Sequence, residues 1–166
     1  MTQHCFRIHE EIAQIYTVNN RSQPVAYIEW EETMPWIRYL LAFILFMHGL
    51  AHLSGLFTAW TKTDLGYSKD PWMFSGNVTL KGVVGKLFGV LWLAAALALS
   101  ASGFGLAFGG GWWPTTAALG AALSLFAILP WLRSVPPGAW AGAAFDALIL
   151  LALAEPWNEQ VLRYLS

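Results

Sequence analysis

Between Trp36 and Trp60 the chain reads IRYLLAFILFMHGLAHLSGLFTA (Ile37–Ala59), and Arg38 is its only permanently charged residue. At ~1.5 Å per residue a helix over this stretch covers about 37 Å, enough to cross a ~30 Å hydrocarbon core with some tilt. Trp36, Tyr39 and Trp60 suit the aromatic belts at the two membrane surfaces. Pro35 precedes the helix, where a missing N–H does no harm. The stretch is read as a transmembrane helix.

Working outward, three further apolar segments follow. Residues 61–81 form one sizeable loop with turn signals at Asp70-Pro71 and Ser75-Gly76-Asn77. The second span is expected at residues 82–108 and the third at 112–132, joined by Gly109-Gly110-Gly111 as an antiparallel pair. Pro114 fits the first turn of the third helix and Pro130 lies near its end. The fourth is expected at 138–154, entered through Pro136-Pro137 and closed by Glu155-Pro156; its shortness predicts an upright helix. The fold class is therefore all-α, a four-helix transmembrane bundle occupying residues 35–156. Residues 1–34 read as a polar N-terminal tail, disordered or not native to the fold, with a short helix at most around Glu10–Val18. Residues 157–166 read as a short C-terminal tail.

Composition agrees. Hydrophobic residues make up 57% and charged residues 11% of the 166, against about 25% charged in a typical soluble domain. A net charge of −1 offers nothing to nucleic acid. One cysteine, Cys5, excludes an intramolecular disulfide and a Cys-x-x-Cys redox pair. Glu10 and Glu11 interrupt the place where a signal peptide would carry its apolar core. Lys62, Lys69, Lys81, Lys86 and Arg133 fall on one side. Arg7, Arg21, Arg38 and Arg163 fall on the other, with seven of the ten carboxylates. Counting only lysine and arginine, loops 1 and 3 are expected in the cytoplasm and both termini outside.

Function is sought among ionisable groups at membrane depth, because each costs from about 2.5 kcal/mol upward in hydrocarbon and so faces protein or water. These are His48, His52, Asp146 and, less deeply, Lys86. A wheel of ~100° per residue places His52, Gly55, Ala59 and Ala51 on the His48 face, and Phe43, Phe46, Leu50, Leu53 and Phe57 opposite. The phenylalanine face is expected toward lipid and the histidine face toward another helix. Asp146 shares its face with Ala139, Gly142 and Ala143, and lies at the depth of His48. His52 and Lys86 are expected above that pair. Gly85-x-x-x-Gly89, Gly138-x-x-x-Gly142 and Gly120-x-x-x-Ser124 are candidate helix-packing positions.

Four readings fit these residues. They form interhelical hydrogen-bond glue worth about 0.5–2 kcal/mol per bond, or a pocket for a small ligand or quinone headgroup, or a proton path, or a metal site using His48, His52 and Asp146. For the last, two histidines one turn apart plus a carboxylate make an open three-ligand set, although His-Gly-Leu-Ala-His lacks the zincin glutamate. Haem fits poorly: the remaining histidines, His4 and His9, are in the tail, so a second axial histidine would need another chain. Lys86 also reads as a snorkelling lysine, and Arg133 as an interfacial anchor. The expected function is a non-enzymatic membrane protein whose polar site binds a small ligand or a partner subunit. The alternatives are a metal- or quinone-dependent redox component and a proton-coupled transporter working as an oligomer.

HGLAHLSGL (His48–Leu56), GVLWLAAALAL (Gly89–Leu99), Gly111-Trp112-Trp113, ALGAALSL (Ala118–Leu125) and a last span holding Asp146 resemble a group of small four-helix bacterial membrane proteins. The likeness covers residues 37–154, and its distinctive part is HGLxHL; the layout is loosely similar to DoxX-type proteins. It implies an inner-membrane four-helix protein and brings no activity with it. It also implies that residues 1–34 are an appended tail or follow an upstream start codon, since such proteins begin close to the first span.

Overall fold

The computed structural model describes residues 35–154 and 158–165, and every regular element among them is helical. The expected helix near Glu10–Val18, and His4, Cys5 and His9, lie outside the described residues. The helices are α1 (Pro35–Ala51), α2 (Leu53–Trp60), α3 (Val83–Phe108), α4 (Trp113–Ile128), α5 (Gly138–Leu153) and α6 (Asn158–Leu165), with a 3-10 turn at Leu129–Trp131 after α4. Three stretches are long and apolar enough to cross a membrane: Trp36–Trp60, Val83–Phe108 and Trp113–Trp131. The fourth, α5, is equally apolar but has 16 residues. The segment read as a C-terminal tail contains α6, whose Val161, Leu162 and Leu165 pack on the apolar core.

The first apolar stretch is not one uninterrupted helix; it breaks at His52. The cause is local. Ser54 Oγ donates to the Ala51 carbonyl at 2.8 Å, the oxygen that the Gly55 N–H would take in a regular helix. Gly55 N–H turns instead to His52 O, and His52 N–H to Gly49 O, both at 3.1 Å. These three-residue closures turn the chain about 20° further per residue than an α-helix does. The inward face shifts accordingly. Before the break it is Ala42, Leu45 and Gly49, and after it Gly55, Thr58 and Ala59. A uniform wheel therefore misplaces Ala51, which is exposed, while Phe43, Phe46, Leu50 and Phe57 face outward as expected.

Helices α1 and α2 pack on α3, α3 on α4, and α4 on α5. Small residues set the spacing. A Cβ on Gly103 would come 2.5 Å from Ala42 O, and one on Gly49 would come 2.6 Å from Ser100 N, so the α1 and α3 backbones touch. Gly55 accommodates the Trp92 ring, Gly89 meets Ala59 and Trp60, and Gly120 meets Leu99. Gly85 abuts the backbone of Leu80, and Gly138 has open space around its missing Cβ. Only part of the expected glycine pairs is therefore helix packing. Gly109 closes α3 at φ 74°, a left-handed position that glycine adopts without strain. Arg38 Nε reaches the same end and donates to Leu106 O at 2.7 Å, so a positive charge meets the negative end of the α3 dipole.

The loop of residues 61–82 folds back onto the turn after α4. Ser68 N–H donates to Ser134 O and Met73 N–H to Pro130 O, while Ser134 Oγ donates to Asp70 O at 2.7 Å. Tyr67, Leu80, Trp92 and Trp131 are buried together beneath it. Outside this core Lys81 Nζ pairs with Asp64 at 2.7 Å. The Lys81 hydrogen bond and charge hold the Asp64 carboxyl below its ordinary value of 3.8. A depressed carboxylate stabilises the fold above its unfolded pKa, and that contribution is lost as pH falls through the folded value. Protection of the amides in residues 61–82, measured against their intrinsic exchange rates at each pH, is therefore expected to stay constant down to about pH 4 and to fall below it. Asp64→Asn should exchange faster at neutral pH and lose much of the acid dependence. An unchanged acid profile in that variant would show that the pair does not hold the loop.

Candidate metal centre

The first apolar stretch, α4 and α5 deliver the polar groups to one point. His48 stands on α1 beside the close α1–α3 contact, and its ring lies against Gly142 of α5: a Cβ there would sit 3.2 Å from His48 Cε1. The expected small face of α5 thus serves to admit an imidazole. His48 Nε2 lies 2.8 Å from Asp146 Oδ1. Asp146 is completely buried, as is Ser124 on α4, whose hydroxyl donates to the other carboxylate oxygen in a short hydrogen bond. Both oxygens of the buried carboxyl group thereby have a hydrogen-bond partner, as buried polar atoms require.

His52 sits at the helix break one turn away, its ring 4.9 Å from that of His48, edge to face. Phe145 closes the other side of His48 at 5.0 Å. At this break His52 keeps the inward position that a regular helix also gives it, and it is buried. Its Nε2 is buried and has no hydrogen-bond partner among the described residues. One donor atom from each of His48, His52 and Asp146 lies within 4.8 Å of the others. Ligands of a tetrahedral ion bound at about 2.0–2.1 Å stand roughly 3.4 Å apart, so small side-chain rotations would close the set.

The expected convergence of His48, His52 and Asp146 is present. Lys86 lies apart from this group. Its side chain is exposed, with Nζ 5.8 Å from the centroid of the Trp60 ring, and Trp60 Nε1 donates to its carbonyl at 3.0 Å. The ammonium lies over the face of the tryptophan and stays exposed, which costs far less than burying it. Sequence reasoning misses Ser124, which enters there only as a small residue four after Gly120. A serine facing inward at the depth of Asp146 is the signal that would have identified it.

The two imidazoles, one carboxylate and an orienting hydroxyl make a donor set suited to borderline divalent ions such as zinc, iron or nickel, with the carboxylate also admitting the harder manganese. Ser124 stands where it would fix the carboxylate of such a ligand set. Fold and site together define a class: a helical protein with apolar spans around a buried His–His–Asp centre. Comparison with protein-family models, with curated proteins and with solved structures finds no match.

Proposed function

We propose that this chain is an integral membrane four-helix bundle whose His48–His52–Asp146 centre binds a divalent transition-metal ion. Exposed apolar side chains on all four long segments support the membrane part: Phe43 and Phe57, Leu97 and Phe104, Leu119 and Phe126, Leu148 and Leu151. Helix α5 then crosses as the fourth span at about 24 Å, upright, with the bilayer thinning to meet it. The amphipathic α6 lies along the surface beyond it. The lysine count puts loops 61–82 and 129–137 in the cytoplasm, and reporter fusions at the C-terminus test this.

The observation that carries the metal reading is the buried, unpartnered Nε2 of His52. If the cluster were only glue between helices, His52 would be a cost with no return: a buried polar atom left unpaired loses about 1–3 kcal/mol. A ligand that needs a third donor accounts for it. The test is His52→Leu. In protein purified with a histidine-free tag, elemental analysis should find about one equivalent of metal per wild-type chain and none in the variant. The metal-free variant should melt at a higher temperature than metal-free wild type, because the orphan is gone. A wild-type chain that takes up no metal from zinc, manganese or iron buffers removes the reading.

A quinone headgroup is the second reading, and a separate feature favours it. An apolar cavity of ≈ 210 Å³ lined by Leu45, Leu106, Trp113 and Ile149 has Phe145 as one wall, and Phe145 packs edge to face on His48. A prenyl tail in that groove would present a carbonyl to the imidazole. Purified protein retaining a quinone, with no metal, would select this alternative.

A further inference from the structure

At the far end of α2, away from the His–Asp centre, a cleft of ≈ 500 Å³ opens between Thr58, Tyr67, Thr79 and the lysines Lys62, Lys69 and Lys81. Its volume falls within the roughly 300–1,000 Å³ of small-ligand sites. One carboxylate, Asp64, lines it against three ammonium groups. Lys81 is committed: it pairs with Asp64 at 2.7 Å and donates to the carbonyls of Thr61 and Thr63. Lys62 and Lys69 make no ion pair or hydrogen bond among the described residues, although Lys69 adds to the field that keeps Asp64 ionised. The loop that carries them is nevertheless held in place, since Ser68 between Tyr67 and Lys69 bonds to Ser134 O and Arg133 O. Two positive charges in excess of the single carboxylate are therefore presented on a fixed wall and not on a mobile tail. Tyr67 and Leu80 are buried in the wall, and Thr79 adds a hydroxyl. The cleft lies beside Trp60, at the end of the first apolar stretch, where phosphate groups of lipids would be found.

We propose that this cleft binds a phosphate-bearing anion, with Lys62 and Lys69 as its charge partners and Lys81 fixing the wall through Asp64. Lysine serves as a point-charge partner for phosphate and needs no bidentate geometry. The phosphate could belong to a lipid headgroup or to a soluble molecule, and the two sources are separable. The full chain is reconstituted in phosphatidylcholine nanodiscs and titrated with inorganic phosphate. In parallel, retention of phosphatidylglycerol over phosphatidylcholine through purification is read by native mass spectrometry. Both are repeated with the K62Q/K69Q double variant and with K86Q, an exposed lysine outside the cleft. Both cleft lysines are exposed, so the double variant keeps its fold.

Phosphate binding that weakens about ten-fold or more in K62Q/K69Q and not in K86Q establishes a soluble anion site. Retention of phosphatidylglycerol lost in the same selective way establishes a headgroup site. The proposal is overturned if neither probe binds, or if K86Q weakens binding as much as the double variant does. None of these outcomes depends on the metal reading, because the probes are metal-free and the variants lie outside the His–Asp centre.

Discussion

Asp146→Ala should empty the centre and loosen the bundle together, whereas Asp146→Asn should empty it and leave the bundle nearly intact. The carboxylate is fully buried and accepts from Ser124 on one oxygen while the other meets His48 Nε2. Alanine leaves both neighbours facing nothing. Breaking a buried pair costs about 3–5 kcal/mol in water-soluble proteins. Hydrogen bonds between membrane helices are worth less, about 0.6–2 kcal/mol, since inserted but separated helices find other partners. Under the proposed membrane reading the second reference applies, because unfolding would then separate helices that stay in the bilayer. Alanine removes the bond to Ser124 and the bond to His48 together, so its expected cost is about 2 kcal/mol. Asparagine retains an acceptor for Ser124 and an amide that can donate to a neutral His48, so its cost should stay below about 1 kcal/mol. Metal content should fall to background in both, since a neutral amide is a far poorer ligand than a carboxylate. Elemental analysis and thermal unfolding in detergent measure the two effects separately. If alanine proves as stable as wild type, the His48–Asp146–Ser124 contact is not holding the helices.

The second large effect is steric. Gly103→Val should separate α1 from α3 and displace His48 without touching any residue of the centre. A Cβ at this position would lie 2.5 Å from Ala42 O and 2.8 Å from Phe46 N. Both are backbone atoms, so no rotamer change relieves the overlap, and the helix itself must move. Overpacking costs about 1–3 kcal/mol where side chains can adjust; the rigid obstacle places this case at about 3 kcal/mol or above. Valine's branches add to the clash. The control is Gly138→Ala, whose Cβ meets nothing within 4 Å and which should leave stability unchanged or slightly raised. Thermal melts of the two variants should differ widely, and metal affinity should drop only in the first. Equal melting of the two would mean that the α1–α3 contact is looser than it stands here.

Much of this architecture was readable along the chain. Length and apolarity alone place the first three spans, with Gly82 and Gly109 bounding α3 where the second span was expected. The depth of His48 and Asp146 was readable too, because depth follows from counting residues to each helix end at a fixed rise. Rotation about the helix axis was readable only while the helix stayed regular. At His52 a serine hydroxyl two residues on captured a carbonyl, and the face turned; no hydropathy pattern carries that competition. For Lys86 the chain left two readings open, site member or snorkelling lysine, and its exposed position over the Trp60 ring agrees with the second.

What the residues determined by themselves is the solvent each segment prefers and the height of every polar group, since both depend on local composition and on a helical rise that neighbours barely change. Which groups meet around the axis was left to tertiary packing. Backbone contact at Gly49 and Gly103 fixes how α1 lies against α3, and Gly142 opens the space His48 fills. Ser124 could be singled out as a polar residue at the right level of its helix, but that it faces Asp146 follows only from how α4 packs on α5. Lateral neighbours follow from the fit of whole surfaces, and a linear pattern does not contain that fit.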